Sequence, residues 1–450
     1  MSISLSRRRF LGGSGAACAV SILPRKAEGQ TVRIRKDIAT LASDGPELTA
    51  YRKAIVAMRE MSDQRGWQGQ AEIHDNFCQH QNWKTLPWHR AYVLNFENLI
   101  REFSGDASFA LPYWNWTKDP LIPASFWGDD NPLAHARSAD ANTAMRDEFV
   151  GASNMEEILA IEDFEQFASF EVGTGTLEGG PHNHVHGRIG GDMASFLSPR
   201  DPIFWLHHSN IDRLWALWNR SHGNTNAPAW LNTRFENQFV SPDGSPVSVG
   251  VADVLSTDDL GYQYDDLGPE PDPASAQVAI SIDFSAISEL TVASDTITEQ
   301  VPTGAPLSVV LPTNPGLASV ATSVSEPSAA AAEPARRRVR VRVAGLQPPA
   351  EPDSFVRVFI NCPYLDIGTP INDPHFVASI DFFAPSNGSH HSSLTYVFDV
   401  TPTLQRLGRA RMLTVDEIEP QLIGISGDGT SGGEVEIVNG KISVEVAEAR

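Results

Sequence analysis

The uneven placement of histidine constrains this chain more than any other feature. None of the thirteen histidines precedes residue 74, and eight of them then fall into three groups: His74, His80 and His89; His182, His184 and His186; His207 and His208. Neutral imidazole is the usual nitrogen ligand of copper and zinc in proteins. A fold that brings together two sets of three histidines would hold two metal ions, each with an open coordination position. The spacing therefore predicts a chain that folds around a pair of metal ions.

The rest of the sequence argues against the common zinc sites. No cluster of cysteines accompanies the histidines, as a structural zinc site would need. The His-Glu-x-x-His pattern of zinc proteases is also absent. His182 and His186 are four residues apart, so on a helix they lie on one face and can bind one metal ion. Any one of these histidines alone is more simply explained as a core or surface residue, but that explanation does not account for the whole set.

Hydrophobic spacing predicts helices before residue 220 and strands after residue 270. Apolar residues recur at helical intervals in 50–59, 88–103 and 203–218, whereas Pro and acidic residues in 269–273 mark a linker. Beyond the linker, 355–360 and 394–400 are predicted strands. In 338–343 valine alternates with arginine, which predicts a strand with one apolar and one solvated face. A chain of 450 residues is long enough for two such domains.

Charge and the N-terminus restrict the location and partners of the protein. Residues 6–11 (SRRRFL) precede a weakly apolar run over 12–23, which is a twin-arginine signal pattern and predicts a periplasmic or secreted protein. The formal net charge of −22 argues against nucleic acid and against a membrane as partner. The sequence makes no prediction about oligomeric state.

Two longer motifs carry a family resemblance. Residues 86–92 (LPWHRAY) resemble the copper-A signature of tyrosinases and catechol oxidases, and 201–215 (DPIFWLHHSNIDRLW) resemble their copper-B signature. Shorter stretches, 112–116 (PYWNW) and 190–193 (GGDM), are similar to family segments between the two, and 229–232 with 260–264 resemble plant polyphenol oxidases.

The resemblance implies a dinuclear type-3 copper site and names its ligands. It assigns one copper to His74, His80 and His89 and the other to His182, His186 and His208, and it sets His184 and His207 aside. The implied fold is mainly α, with a helical-bundle copper domain followed by a C-terminal β-sandwich. The domain prediction is a signal peptide over 1–28, the copper domain over 29–272, and the sandwich over 273–450 with a flexible segment at 315–335.

Four neighbours of the ligands receive roles from the same resemblance. Glu178 and Asn183 hold a water that accepts the phenol proton, although a buried carboxylate and a helix-start residue are the plain alternatives. Cys78, in Cys-Gln-His, forms a thioether with His80, the alternatives being a free thiol or a disulfide with Cys362. Phe196 is the bulky aromatic over copper B that restricts the substrate, unless it is only core packing.

The predicted function is a polyphenol oxidase that uses O2 and two copper ions to turn o-diphenols into o-quinones. With Glu178 and Asn183 both present, ortho-hydroxylation of monophenols is also expected. The alternatives are an o-aminophenol oxidase of secondary metabolism and a haemocyanin-like oxygen carrier. The C-terminal domain would cover the copper site if the protein is latent like some plant relatives.

Overall fold

The structure is a computed structural model that describes residues 32–268, 284–291, 297–312, 337–349, 351, 353–383, 394–413 and 416–449. The twin-arginine pattern, the linker at 269–273 and the 315–335 segment lie outside the described residues, so these remain predictions. Within the described ranges, no helix is both long enough and apolar enough to cross a membrane.

The first half of the chain is helical. The α-helices of the described residues are Pro46–Arg59 (α1), Trp67–Phe77 (α2), Thr85–Ser104 (α3), Asp147–Val150 (α4), Ala152–Leu159 (α5), Phe164–Phe167 (α6), Asn183–Ile189 (α7), Ile203–Trp218 (α8), Pro228–Leu231 (α9) and Thr401–Ala410 (α10). Helices α1, α3 and α8 pack together around a core rich in tryptophan and phenylalanine.

The ends of the main helices follow local sequence rules. Helix α1 begins with Pro46, whose missing N–H costs nothing in the first turn, and α3 ends at Gly105 in the left-handed conformation (φ 73°). Helix α8 is buried along almost its whole length, since it runs through the centre of the bundle. The predicted helix over 203–218 is confirmed.

The second half is built largely from strands. Within the part of the chain that the structure describes, the strands are Arg33–Arg35 (β1), Arg234–Val240 (β2), Pro246–Gly250 (β3), Tyr262–Tyr264 (β4), Phe284–Thr291 (β5), Ile297–Val301 (β6), Leu307–Ser308 (β7), Leu311–Pro312 (β8), Arg337–Leu346 (β9), Phe355–Ile360 (β10), Phe376–Ile380 (β11), Leu394–Asp399 (β12), Glu417–Ile418 (β13), Pro420–Ile425 (β14), Gly432–Gly433 (β15) and Val435–Ala449 (β16).

Two antiparallel sheets form the C-terminal sandwich. One has the order β11-β10-β14-β15 with β7 beside β14, and the other has the order β12-β9-β16-β5 with β6 beside β16. Along β10, Val356 and Val358 face the interior of the sandwich, whereas Phe355 and Phe359 join the core of the helical domain. The two faces of β10 thus belong to different cores, because alternate residues of a strand point to opposite sides. The predicted fold class, helical domain then β-sandwich, is confirmed.

The arginine face of β9 is only partly solvated, in contrast to the prediction of a solvated face, because Arg340 is buried while Arg338 and Arg342 stay 21% and 28% exposed. Arg340 is buried and forms a 2.6 Å ion pair with Asp163 of the helical domain. Arg342 donates to the carbonyl of Val172 at 2.6 Å. An alternating pattern shows that one face is polar but not what that face meets, and here it meets the other domain.

Candidate metal centre

The three histidines of the first set converge at their Nε2 atoms. His74 lies in the last turn of α2, His80 in the loop that follows, and His89 in α3. The Nε2 atom of His74 is 3.5 Å from that of His80 and 3.4 Å from that of His89. A metal ion with tetrahedral bonds of about 2.0–2.1 Å to nitrogen sets its ligand atoms about 3.3–3.4 Å apart. The three atoms therefore have the spacing of one metal site.

The protonation of these rings also fits a metal. Nδ1 of His74 donates to the carbonyl of Phe196 (2.6 Å), and Nδ1 of His89 donates to the carbonyl of Thr85 (2.8 Å). A neutral ring that donates at Nδ1 carries a lone pair at Nε2. Burial lowers the pKa of His74 to about 3 and that of His89 well below its usual value. Buried lone pairs that face one another need a cation between them.

The histidines of the second set are also buried and close together. The Nε2 atoms of His186 and His208 are 3.3 Å apart, and Nε2 of His182 is buried with no hydrogen-bond partner among the described residues. Nδ1 of His182 donates to Oδ1 of Asn183 (2.9 Å), and Nδ1 of His186 donates to the carbonyl of Met193 (2.6 Å). The rings of His89 and His208 stack at 4.2 Å, so the two sets are adjacent.

A turn of π-helix positions His182 and leads directly into α7. It runs over Glu178–His182 and passes through Pro181. Beyond α7, Gly190 has φ 65°, and a Cβ there would lie 1.7 Å from Oγ of Ser138. Only glycine fits this sharp reversal, which brings the carbonyl of Met193 under His186. The pattern of four-residue spacing predicted a helix here but not its π-helical start.

The two histidines that the family pattern sets aside are held differently. Nε2 of His184 accepts from the main-chain N–H of Arg146 (3.1 Å), and its Nδ1 donates to Oδ2 of Asp381 (2.8 Å). Nδ1 of His207 accepts from the indole N–H of Trp116 (3.3 Å), which places the ring proton at Nε2. Neither ring offers a free lone pair to a metal, although His207 lies within the second cluster.

Glu178 is a buried carboxylate with donors on both oxygens. Oε1 accepts from Nδ1 of His80 (3.1 Å) and from the N–H of Gln81 (2.9 Å), and Oε2 accepts from the hydroxyls of Ser169 and Thr85. Burial nevertheless raises the pKa of Glu178 above its usual range, with His182 opposing the shift. Glu178 therefore fixes the tautomer of His80, as carboxylates commonly do behind metal-bound histidines. Nothing in the sequence indicated the roles of Ser169 and Thr85.

Cys78 lies beside the first set and is not in a disulfide. Its sulfur and the nearest ring nitrogens of His74 and His80 all lie within 4.8 Å of one another. Both Cys78 and Cys362 are free, which excludes the disulfide alternative. Burial raises the pKa of the Cys78 thiol well above its usual value.

Two phenylalanines line the open side of the centre. The ring of Phe196 stacks on His80 at 5.6 Å and meets His74 at 6.1 Å, so it lies against the first set rather than standing over copper B as expected. Phe383, from the C-terminal sandwich, is 4.3 Å from the ring of His186 and 4.9 Å from that of His80. It is 4% exposed and contacts histidine rings of both sets. No motif or spacing in the sequence indicated that Phe383 lies at the centre.

A buried ionic network ties the two ligand helices together. Asp212, one turn after His208 in α8, pairs with Arg90, the neighbour of His89 in α3, and also with Arg35 at 3.2 Å. Its Oδ2 accepts from the hydroxyls of Tyr262 (2.7 Å) and Tyr264 (2.5 Å). Asp212 therefore fixes α8 against α3, and Nδ1 of His208 has no hydrogen-bond partner among the described residues.

Comparisons with known proteins identify the class to which this fold and site belong. The common central domain of tyrosinase matches residues 51–143 and 124–221, and the polyphenol oxidase middle domain matches 224–271. A tyrosinase of Hahella sp. is 28% identical over 92% of this chain and 99% of its own length. A tyrosinase of Streptomyces glaucescens is 31% identical over 42% of this chain and 83% of its own.

Plant proteins share the architecture as well. The polyphenol oxidase of Malus domestica is 29% identical, with 51% of this chain and 49% of that protein covered. The solved structure of latent apple tyrosinase superposes with a TM-score of 0.69 at 24% identity, over 94% of this chain and 98% of that one. The fold and site define a copper oxidoreductase with a dinuclear type-3 centre. The chain belongs to the tyrosinase and polyphenol oxidase family.

Proposed function

We propose that this phenol oxidase converts o-diphenols into o-quinones and also ortho-hydroxylates monophenols, with His74, His80 and His89 on one copper and His182, His186 and His208 on the other. The observation that carries the proposal is the convergence of lone pairs at Nε2 in both sets. A bound copper pair supplies the electron transfer between the phenol and O2. Two catechols and one O2 give two o-quinones and two waters, and one monophenol and one O2 give one o-quinone and one water.

The residues around the centre supply proton transfer and orientation. A phenol titrates near ~10, so hydroxylation at neutral pH needs a base. Glu178 and Asn183 each accept a hydrogen bond from Nδ1 of one histidine, His80 and His182 respectively, and the two imidazole rings are 5.4 Å apart. A water held between the carboxylate and the amide would lie beside both copper sites. The raised pKa of Glu178 makes its carboxylate a stronger proton acceptor than an exposed one.

Replacing Glu178 with glutamine tests the hydroxylating half of the proposal. Glutamine keeps the shape and an acceptor for His80 but lacks the negative charge. General-base catalysis contributes about 100-fold or more, so Glu178→Gln should lower the ratio of monophenol to catechol turnover by about that factor. Both rates are measured on one preparation with two copper ions per chain, so copper loading cancels. An unchanged ratio would show that Glu178 is structural only.

The position of Cys78 supports a thioether with His80, which we propose forms by oxidation. The bond joins the sulfur to a ring carbon, and the two hydrogens lost leave as protons while their two electrons reduce O2. We expect the peptide that contains residues 78–80 to be lighter by two hydrogens after copper and oxygen treatment, and to resist thiol alkylation. The Cys78→Ser protein is the control. A peptide of full mass with a reactive thiol would contradict the cross-link.

Export and substrate complete the proposal. The twin-arginine pattern supports a periplasmic or secreted location, with phenols and O2 as the partners of the protein. The proposed signal peptide ends at residue 28, and the proposed copper domain ends at residue 272. An o-aminophenol oxidase would share the centre, and an oxygen carrier would share it without turnover. Oxygen uptake with tyrosine, tyramine, catechol and o-aminophenol separates the three, since a carrier would consume oxygen with none of them.

A further inference from the structure

One tyrosine of this chain is open to other molecules. All seven tyrosines lie in the described ranges, and six of them are at most 6% exposed. The hydroxyls of these six each donate to a carbonyl or a carboxylate within the protein: Tyr51, Tyr92, Tyr113, Tyr262, Tyr264 and Tyr396. Tyr364, in contrast, is 51% exposed. An enzyme that oxidises phenols therefore displays one phenol of its own.

This tyrosine lies away from the metal centre of its own chain. It belongs to the loop over 361–375, which joins β10 to β11. Strand β11 begins beside this loop at Phe376 and ends at Ile380, three residues before Phe383 at the centre. Five strand residues span about 16 Å. The Tyr364 ring is at the surface whereas the six histidines assigned to copper are at most 3% exposed, so the centre that can act on Tyr364 is that of a second copy.

A buried imidazole lies beside the exposed ring. His375 is 1% exposed, and its ring is 5.7 Å from that of Tyr364 at an angle of 89°. Nδ1 of His375 donates to the carbonyl of Ile360 at 2.8 Å, which leaves the lone pair on Nε2. Nε2 is buried and has no hydrogen-bond partner among the described residues. A buried acceptor without a donor is costly to the fold, and here it is also a nucleophile next to a phenol.

Asp373 holds the two side chains together. Its Oδ2 accepts from the hydroxyl of Tyr364 at 3.1 Å, and its Oδ1 accepts from the main-chain N–H of His375 at 2.9 Å. The carboxylate therefore keeps the phenol close to the imidazole. Its negative charge would also stabilise a positive charge on the His375 ring.

The thiol of Cys362, two residues before Tyr364, is the competing nucleophile. It is 1% exposed and packs into the core of the helical domain. Burial raises the pKa of this thiol, and a thiol is a much weaker nucleophile than a thiolate. The free lone pair of His375 is therefore the better placed group to react with an oxidised Tyr364.

We propose that Tyr364 and His375 form a self-modification site, in which a second copy of the enzyme oxidises Tyr364 and His375 captures the product. The inference rests on the proposed function, because the first step is the ortho-hydroxylation of a monophenol. In that step the phenol and one O2 give an o-quinone and one water.

The capture step needs no further oxidant. Nε2 of His375 forms a bond to a ring carbon of the quinone, and the hydrogen of that carbon moves to one quinone oxygen. The electron pair of the new bond restores the aromatic ring as a catechol whose second oxygen is negative. The imidazole keeps its Nδ1 proton and carries the positive charge, next to Asp373. The product is a covalent link between residues 364 and 375.

Two full-length proteins separate the copy that acts from the copy that is modified. The target carries His208→Gln, which removes a copper ligand, and retains Tyr364. The acting copy carries Tyr364→Phe, so that it cannot be its own target. It also carries Arg340→Glu and Arg357→Glu, which turn two ion pairs between the domains into like-charge contacts and so expose its centre. Tyramine turnover by the same preparation reports its monophenol activity.

Mass spectrometry of the target is the readout. Cleavage before aspartate yields 353–365, with Tyr364, and 373–380, with His375, as separate peptides. We expect the two to appear as one linked species with the summed mass plus one oxygen and minus two hydrogens. Its rate of formation should double when the acting copy is doubled. A target that also carries His375→Gln is the matched control, and should be oxidised at Tyr364 without the link.

The outcomes distinguish this inference from the proposed function. An unmodified Tyr364 beside rapid hydroxylation of tyramine would overturn the inference and leave the proposed function intact. An oxidised Tyr364 that stays unlinked, or is linked to Cys362 within 353–365, would overturn the capture by His375. A rate that does not depend on the acting copy would overturn the reaction between copies. No hydroxylation of tyramine would overturn the monophenol activity in the proposed function and the inference with it.

Discussion

Replacing His208 with glutamine is expected to leave one copper ion per chain and to lower catechol oxidation by more than ~100-fold. Changes behind a metal ligand typically cost 10- to 100-fold, so loss of a ligand should cost more. The reason lies in the geometry: Nε2 of His208 is 3.3 Å from Nε2 of His186, and glutamine cannot place a nitrogen lone pair there. Copper content and oxygen uptake on the same preparation measure the effect.

His207→Gln is the matched control for this prediction. His207 precedes His208 in the same buried helix, yet its Nδ1 is engaged by Trp116. We expect the His207→Gln protein to retain two copper ions per chain, with any loss of stability visible as a lower melting temperature. Loss of one copper ion in His207→Gln and its retention in His208→Gln would reverse the assignment.

Undocking the sandwich is expected to raise catechol oxidation by about 10- to 100-fold. The Phe383 ring lies against histidines of both sets, and burial of a phenylalanine contributes about 1.5–3 kcal/mol, which corresponds to about 10- to 100-fold in the population of open molecules. Arg340→Glu together with Arg357→Glu places like charges opposite Asp163 and Glu148, which pair with these arginines at 2.6 and 2.8 Å across the domain interface. This double variant should therefore show the gain in kcat/KM for catechol over the unaltered chain. Initial rates across substrate concentration measure it.

The Arg337→Glu protein serves as the control, since Arg337 lies on β9 but pairs with Glu448 of β16 inside the sandwich. It should show the activity of the unaltered chain. If undocking is verified by scattering and catechol oxidation does not rise, Phe383 does not limit access and the protein is not latent in this way.

The parts of the fold that could be predicted from the sequence depend on local patterns. Helix α8 and strand β10 match their predicted bounds because each is buried and has a strong apolar repeat. The strand at 338–343 was predicted, but the partner of its arginine face was not, because a solvated face and a charged interface share the same alternation. What an arginine pairs with depends on how the two domains dock, which no local pattern encodes.

In the metal centre, too, some features follow from local patterns and others depend on how the two domains dock. The histidine sets follow from spacing and family resemblance, since each set is anchored to helices with strong local signals. Phe383 and Asp381 lie almost two hundred residues beyond Asn183, and only the docking of the sandwich brings them to the centre. The ring of Phe196 contacts His74 and His80, and no local pattern in the sequence encodes which set of histidines it meets.

Oxygen uptake by the undocked, copper-loaded chain with catechol shows whether two triplets of histidine hold a copper pair that oxidises phenols. We expect continuous consumption of one O2 for every two catechols by protein that contains two copper ions per chain. Protein with two copper ions per chain that binds and releases oxygen reversibly, and consumes none in the presence of catechol, would contradict it.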